Sequence, residues 1–239
     1  MPAMDESLLV APSSNGSTPP SRLFTTVAQQ ITNVRRWNED LEWGFGEDEL
    51  AALDPIPRPQ TGLVVDIVVP YLRYLYLPDG VEGLDGVRHT CHALWLLAAQ
   101  QQPNSWCWDR SWDIWVNRPK PVRLLEGIVH RPGIRRVTVD LGAHWQPGRH
   151  IRPAQLRGPD SAHAEILAAA AHFPNWVRAM DGRQVPHTWL SGYQVTIPEY
   201  DVDNRLPSLA WTGYRQTISL TVGWADRAHS GFASPVCVA

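Results

Sequence analysis

Residues 217–224, Thr-Ile-Ser-Leu-Thr-Val-Gly-Trp, alternate without a fault. Ile218, Leu220, Val222 and Trp224 fall on one side, and Thr217, Ser219 and Thr221 on the other. That is the period of a half-buried β-strand, and it commits the chain to a sheet. Residues 189–197 predict a second strand, with Tyr193, Val195 and Ile197 on one face. Asp181-Gly182 tolerates positive φ at both hairpin positions. A tight turn there is expected to join strands at 175–180 and 183–190. Upstream, Asp160 and Ser161 read as a helix N-cap, with Glu165 in a first turn that favours acids. The alanine run 168–171 makes this a close-packing helix that stops before Pro174.

The first 20 residues are rich in Ser, Pro, Gly and Asn, the composition of an extended arm. Leu23, Val27, Ile31 and Val34 recur at helical spacing after Ser21 and predict a helix over 22–36. In the acidic stretch that follows, Glu47, Asp48 and Glu49 suit the first turn of a short helix. A proline-rich linker occupies 54–61. Residues 63–69 are largely β-branched and predict a buried strand ended by Pro70, with 71–77 as an edge continuation. Asp85 caps a helix reaching residue 101, with Val87, Cys91, Leu94, Trp95 and Ala98 on its apolar face. Residues 105–116 carry Trp106, Trp108, Trp112 and Trp115 in a ribbon. Residues 122–130 and 134–141 predict two strands turning at Arg131-Pro132-Gly133. Residues 142–159 form a long loop of the kind that carries function or interaction.

The fold class expected is α+β, mostly β: a β-sandwich or barrel-like sheet with a few flanking helices. Three segments compose it. They are an arm at 1–20, a helical and acidic segment with linker at 21–60, and one β-rich domain at 61–239 with helices near 85–101 and 161–172.

Of the 239 residues, 44% are hydrophobic, which supports a core, and a net charge of −3 gives nothing global that attracts nucleic acid or an anionic membrane. Cys91, Cys107 and Cys237 cannot all pair within one chain, so a disulfide scaffold is not expected. Neither a signal peptide nor a membrane-spanning run is expected. Charge is nonetheless segregated. Residues 37–85 hold 11 acids against 2 arginines, and residues 118–157 hold 9 bases against 2 acids. Three arrangements satisfy this. The two segments can lie together in one fold. They can join copies head to tail, with Glu47, Asp48 and Glu49 meeting Arg118, Arg123, Arg131, Arg135 and Arg136 across a subunit interface. Or the arginines can form a stripe facing nucleic acid, although no reader motif accompanies them.

His89 and His92 lie three apart on a predicted helix and offer two nitrogens to a metal, with Cys107 or His130 as distant partners. Cys91, between them, falls on the apolar face, as a buried cysteine does. A metal-assisted hydrolase on His89 and His92 is therefore an alternative, but no metal or other cofactor is the expectation. His163-Ala164-Glu165 matches half of a zinc deaminase signature, and the Pro-Cys-x-x-Cys half is missing. Glu199, Asp201 and Asp203 alternate without the glycine and closing Glu of a calcium loop and read as a solvated turn. Phosphate-loop and nucleophile-elbow motifs are absent from the sequence.

Residues 160–224 run as an Ala-rich helix, strands, an acidic loop and a last long strand with Arg215 just upstream. This layout resembles that of bacteriophage tail-tube, distal-tail and baseplate-adaptor proteins. The resemblance covers about a third of the chain and is a pattern rather than a fixed motif. It implies β-sandwich or barrel domains assembled as rings, with arms reaching across neighbours and no catalytic residue. On that resemblance the chain is expected to be a structural virion component. It would form homo-oligomers, contact other tail proteins and be assembled in the host cytoplasm. Neither nucleic acid nor a membrane is an expected partner. Twenty arginines against one lysine suit a phage of a GC-rich actinobacterial host.

Overall fold

The computed structural model describes residues 23–56, 62–75, 84–102, 106–109, 122–197 and 202–238. Its helices are α1 (Val27–Asp40), α2 (Glu47–Ala51), α3 (Gly86–Gln100), α4 (Ala164–His172) and α5 (Pro174–Ala179), with a 3₁₀ turn at Pro153–Gln155. The strands are β1 (Val64–Tyr71), β2 (Trp106–Asp109), β3 (Val122–Leu124), β4 (Gly133–Asp140), β5 (His187–Trp189), β6 (Tyr193–Ile197), β7 (Val202–Thr212), β8 (Thr217–Trp224), β9 (Phe232–Ala233) and β10 (Val236–Val238). The chain is of the mixed α+β class, organised by two sheets, and neither sheet closes into a barrel among the described residues. The expected N-terminal arm lies outside those residues, as do Arg118, Glu199 and Asp201.

In the small sheet, β4 lies between β1 and β10, antiparallel to both. In the large sheet, β7 and β8 form an antiparallel hairpin from the Arg205–Trp224 pair to the Thr212–Thr217 pair. β2 joins β8 in parallel. Along the other edge of β7, β5 and β6 follow one another, and they carry β9 and β3 on their outer sides.

The small sheet is covered by helices. α4 is buried on every side, all nine of its residues included, with Glu165 and His172 as its polar members near either end. Its alanines let α3 and β1 approach closely. α3 begins where expected, with Asp85 Oδ1 accepting from Arg88 N at 2.9 Å. A Cβ on Gly86 would sit 2.6 Å from the Leu72 carbonyl oxygen, so the start of α3 meets the end of β1 only with glycine there.

Among the described residues β1 pairs with a strand on one edge alone, and side chains meet the other. Gln30 of α1 donates Nε2 to Asp66 O at 3.0 Å and accepts from Val68 N at 2.8 Å, as a strand residue would. His172, the last residue of α4, donates Nε2–H to Val68 O at 2.9 Å. That assigns the neutral tautomer, whose Nδ1 faces Asn33 Nδ2 at 3.3 Å. The ring also stacks on Trp37 with centroids 4.7 Å apart.

Several expectations are corrected. Residues 175–180 are helical rather than a strand. Pro174 presets φ for a helix at its first position. Asp181 does make a tight turn, its Oδ1 accepting from Arg183 N, Gln184 N and Val185 N, and Gly182 has φ +70°. That turn links α5 to β5. The expected strand at 189–197 is two strands, broken at Gly192, where a Cβ would lie 2.8 Å from Ser161 O. Residues 122–130 and 134–141 do not form a hairpin: β3 joins β6 in the large sheet and β4 joins β1 in the small one. β1 runs through Pro70, which an edge strand accommodates. The N-cap of α1 is Thr26, not Ser21. α4 starts after His163 rather than at Asp160-Ser161, and its N-cap makes no side-chain bond.

Burial lowers the His172 pKa from 6.5 to about 4, opposed in part by its bond to Val68 O. The unfolded chain then binds the extra proton between those values. The contribution, about 3 kcal/mol, is complete above pH 6.5 and lost as pH falls toward 4. Urea unfolding between pH 7.5 and 4 should show a stability that falls with acid. In His172→Gln the slope over that window should drop by about one proton; an unchanged slope refutes the assignment.

Candidate functional site

The densest set of titratable side chains sits where α3, α4, β1 and β6 meet. Glu165 is 2% exposed. Its Oε1 accepts a short hydrogen bond from the Tyr71 hydroxyl at the end of β1. Its Oε2 accepts from the His163 backbone N–H at 2.7 Å, and His163 Nδ1 lies 3.0 Å from the same oxygen without hydrogen-bond geometry. The His163 ring packs between Tyr71 and Tyr193, with centroids at 6.1 and 5.5 Å. Tyr193 and Cys91 share a short O–S hydrogen bond. His130 borders the knot, its Nε2 donating to Leu72 O at 2.8 Å and its ring edge-on to Tyr71.

Electrostatics fix the protonation here. Burial alone would raise the Glu165 pKa. The neighbouring His163 and the hydrogen bonds from Tyr71 and His163 outweigh it and hold the carboxyl at about 2. Burial pushes the Cys91 thiol up despite its bond to Tyr193. Burial, with Glu165 and Asp160 nearby, does the same to Cys237. Burial also raises the Tyr71 and Tyr193 hydroxyls, with the Glu165 charge acting the same way on both. At neutral pH the knot therefore holds one carboxylate among protonated hydroxyls and thiols. Neither thiol is activated as a nucleophile. The arrangement spends the carboxylate on joining β1 to the start of α4.

The other expected site residues are spread out. His89 Nδ1 donates to Arg73 O at 2.9 Å on the flank of α3. Among the described residues no three His, Cys, Asp or Glu side chains gather to hold a metal ion. The charged segments meet inside the chain through the β1–β4 pairing. The Arg136 side chain is 6% exposed and donates Nη2 to Asp66 Oδ2 at 2.6 Å. Its Nη1 donates to Asp54 O at 2.6 Å. Thr138, opposite Asp66 in register, adds a bond at 2.7 Å. Glu47 of α2 is taken by Arg35 of α1. Glu49 closes back on Gly46 N at 3.1 Å. Asp48, Arg123, Arg131 and Arg135 remain exposed, with the Arg135 guanidinium 5.7 Å from the Tyr71 ring centre.

A second place is open to solvent. The 142–159 loop folds around a cleft of about 220 Å³ whose wall includes His144, Gln146, Arg149, His150, Arg152 and Gln155. No acid lines it. The loop is anchored by paired backbone bonds between Ile151 and His229, both 2.9 Å, and by Ala154 N to Ala225 O at 2.9 Å. Sequence reasoning marked this loop by its length but missed the basic cluster, whose signal is four basic side chains in nine residues, 144–152, without an acid. It also missed Tyr71 and Tyr193, which no local spacing connects to Glu165.

No protein-family model matches this chain, and neither a curated protein nor a solved structure is similar to it. No helix among the described residues is long and apolar enough to cross a membrane.

Two variants test these assignments. Tyr71→Phe removes one donor from a buried carboxylate and should cost about 2 kcal/mol, read from urea midpoints. The remaining Glu165 contribution, which starts to be lost below pH 4.5, should be smaller in that variant and should be fully lost at a higher pH than in the wild type, where the loss runs to about pH 2. Arg136→Met strands the buried Asp66 and should cost about 3 kcal/mol. A cost near zero would mean that Thr138 alone suffices.

Proposed function

We propose that this chain is a non-enzymatic structural subunit of a phage virion or phage-tail-like particle. It builds rings or other oligomers with copies of itself and contacts other tail proteins. The observation that carries the reading is the unequal protection of the two sheets among the described residues. The small sheet is sealed at both edges. Gln30 and His172 cover β1. Residues 160–162 cover β10, with Cys237 N donating to Asp160 O at 2.7 Å and Ala162 N to Pro235 O at 2.9 Å. In the large sheet, β2, β3 and β9 each pair on one edge only among the described residues. Unpaired edges are templates for strands of another chain. Tyr214, at the tip of the β7–β8 hairpin, is 83% exposed, and aromatic residues of this kind are favoured at interfaces. Asp48, Arg131 and Arg135 leave charge of both signs at the surface, which orients partners.

Light scattering on the purified protein tests this. The expected mass is a multiple of 26.8 kDa. Assemblies joined by strand edges persist at high salt, whereas assemblies joined by charge dissociate as salt rises. A monomer at both low and high salt overturns the proposal.

A further inference from the structure

The geometry points to the cleft of the 142–156 loop as a binding site for a terminal phosphate group, of the kind carried by a phosphate monoester or pyrophosphate. Phosphate recognition requires forked donors and positive charge on a concave surface. Arg149 and Arg152 supply two guanidinium groups, and His144, His150, Gln146 and Gln155 supply further polar groups around the same space. Arg149 reaches Gln146 Oε1 at 3.1 Å, and among the described residues neither Arg149 nor Arg152 has a carboxylate partner. Two other arginines are neutralised within the fold, Arg136 by Asp66 and Asp54 and Arg35 by Glu47, whereas Arg149 and Arg152 stand together in a cleft. A group of cations left without a counter-charge in a cleft repels itself, and an anion relieves that repulsion.

The surroundings agree. His229, bonded to Ile151 across the loop, has its pKa lowered by burial first and then by the nearby Arg227 and His150. The backbone that presents the cleft is held by bonds to Ala225 and His229, which keeps Arg149 and Arg152 on one small stretch of surface. A space of about 220 Å³ is below the usual range for drug-sized ligands, about 300 Å³ and above. It suits a phosphate or diphosphate with a small attached group. A space of this volume, lined by residues 144–156 alone, favours a chain end over the continuous backbone of a nucleic acid. Phosphate binding here does not depend on the assembly reading.

Titration calorimetry on the full chain with inorganic pyrophosphate tests the site, with Arg149→Gln and Arg152→Gln beside the wild type. Both side chains project into solvent, so the variants should keep the wild-type melting temperature. The expected result is saturable binding, weakened on the order of tenfold in each variant. Absence of saturable binding overturns the proposal, as does binding that neither variant changes. A second arm compares an oligonucleotide with and without a 5′ phosphate. Preference for the phosphorylated end supports the proposal. Equal binding of both with a steep salt dependence assigns the cleft to a nucleic-acid backbone instead and overturns it.

Discussion

A strand with both faces and one edge buried leaves peptide groups that water cannot reach, and β1 is such a strand. Each unsatisfied buried group would cost roughly 1–3 kcal/mol, so the elements around β1 are not free to choose their places. α1 must present Gln30 opposite residues 66–68. α4 must end with His172 beside Val68. The other end of α4 is fixed at the same time, because Glu165 reaches Tyr71. From Glu165 to His172 a helix rises about 10 Å, and from Val68 to Tyr71 a strand spans about 10 Å. The helix and the strand therefore meet at two matched points and lie along each other in opposite directions. Only small side chains between those points allow that approach, and Ala168, Ala169, Ala170 and Ala171 supply them.

The same strand resolves much of the charge segregation. β1 belongs to the acidic segment and β4 to the basic one, and their pairing places Asp66 opposite Thr138. Arg136 lies two residues from Thr138 and so on the same face of the sheet, within reach of Asp66. A buried carboxylate needs this company to remain ionised. Its aspartate would be an error in an apolar strand without β4. With β4 it selects one register, since a slip by one residue would move Arg136 to the opposite face.

What the sequence made legible was local. α3 is readable because its cap, its apolar face and its length all sit within sixteen residues. β8 is readable because alternation is a property of the strand itself. The buried alanine helix was readable in kind but not at its start. His163-Ala164-Glu165 looked like either a metal half-motif or an ordinary first turn, and the structure makes it part of a knot closed by Tyr71. That partner is 94 residues away, and no spacing rule reaches so far. β3 and β4 were readable as strands, yet their separation into different sheets depends on partners, β6 and β1, that neither strand names. The helix at α5 was misread because Asp181-Gly182 is a strong turn signal on either side of a helix end, and hydrophobic Trp176 and Val177 fit strand and helix alike.

The two groups of polar side chains in this fold differ in how far the protein itself has compensated them. In the buried knot the acidic groups are met within the fold: a carboxylate accepts from a hydroxyl and an amide, and a thiol meets a hydroxyl. Such a network rigidifies its surroundings, and any break in it is expensive. In the loop cleft the backbone is held by bonds to Ala225 and His229, but among the described residues Arg149 and Arg152 are left without counter-charge at the surface. A backbone already in place spares a binding partner the cost of ordering the loop and leaves only the two arginine side chains to be immobilised. The chain thus has its acid–base groups where they bind its own elements together, and its unspent positive charge where another molecule can reach it.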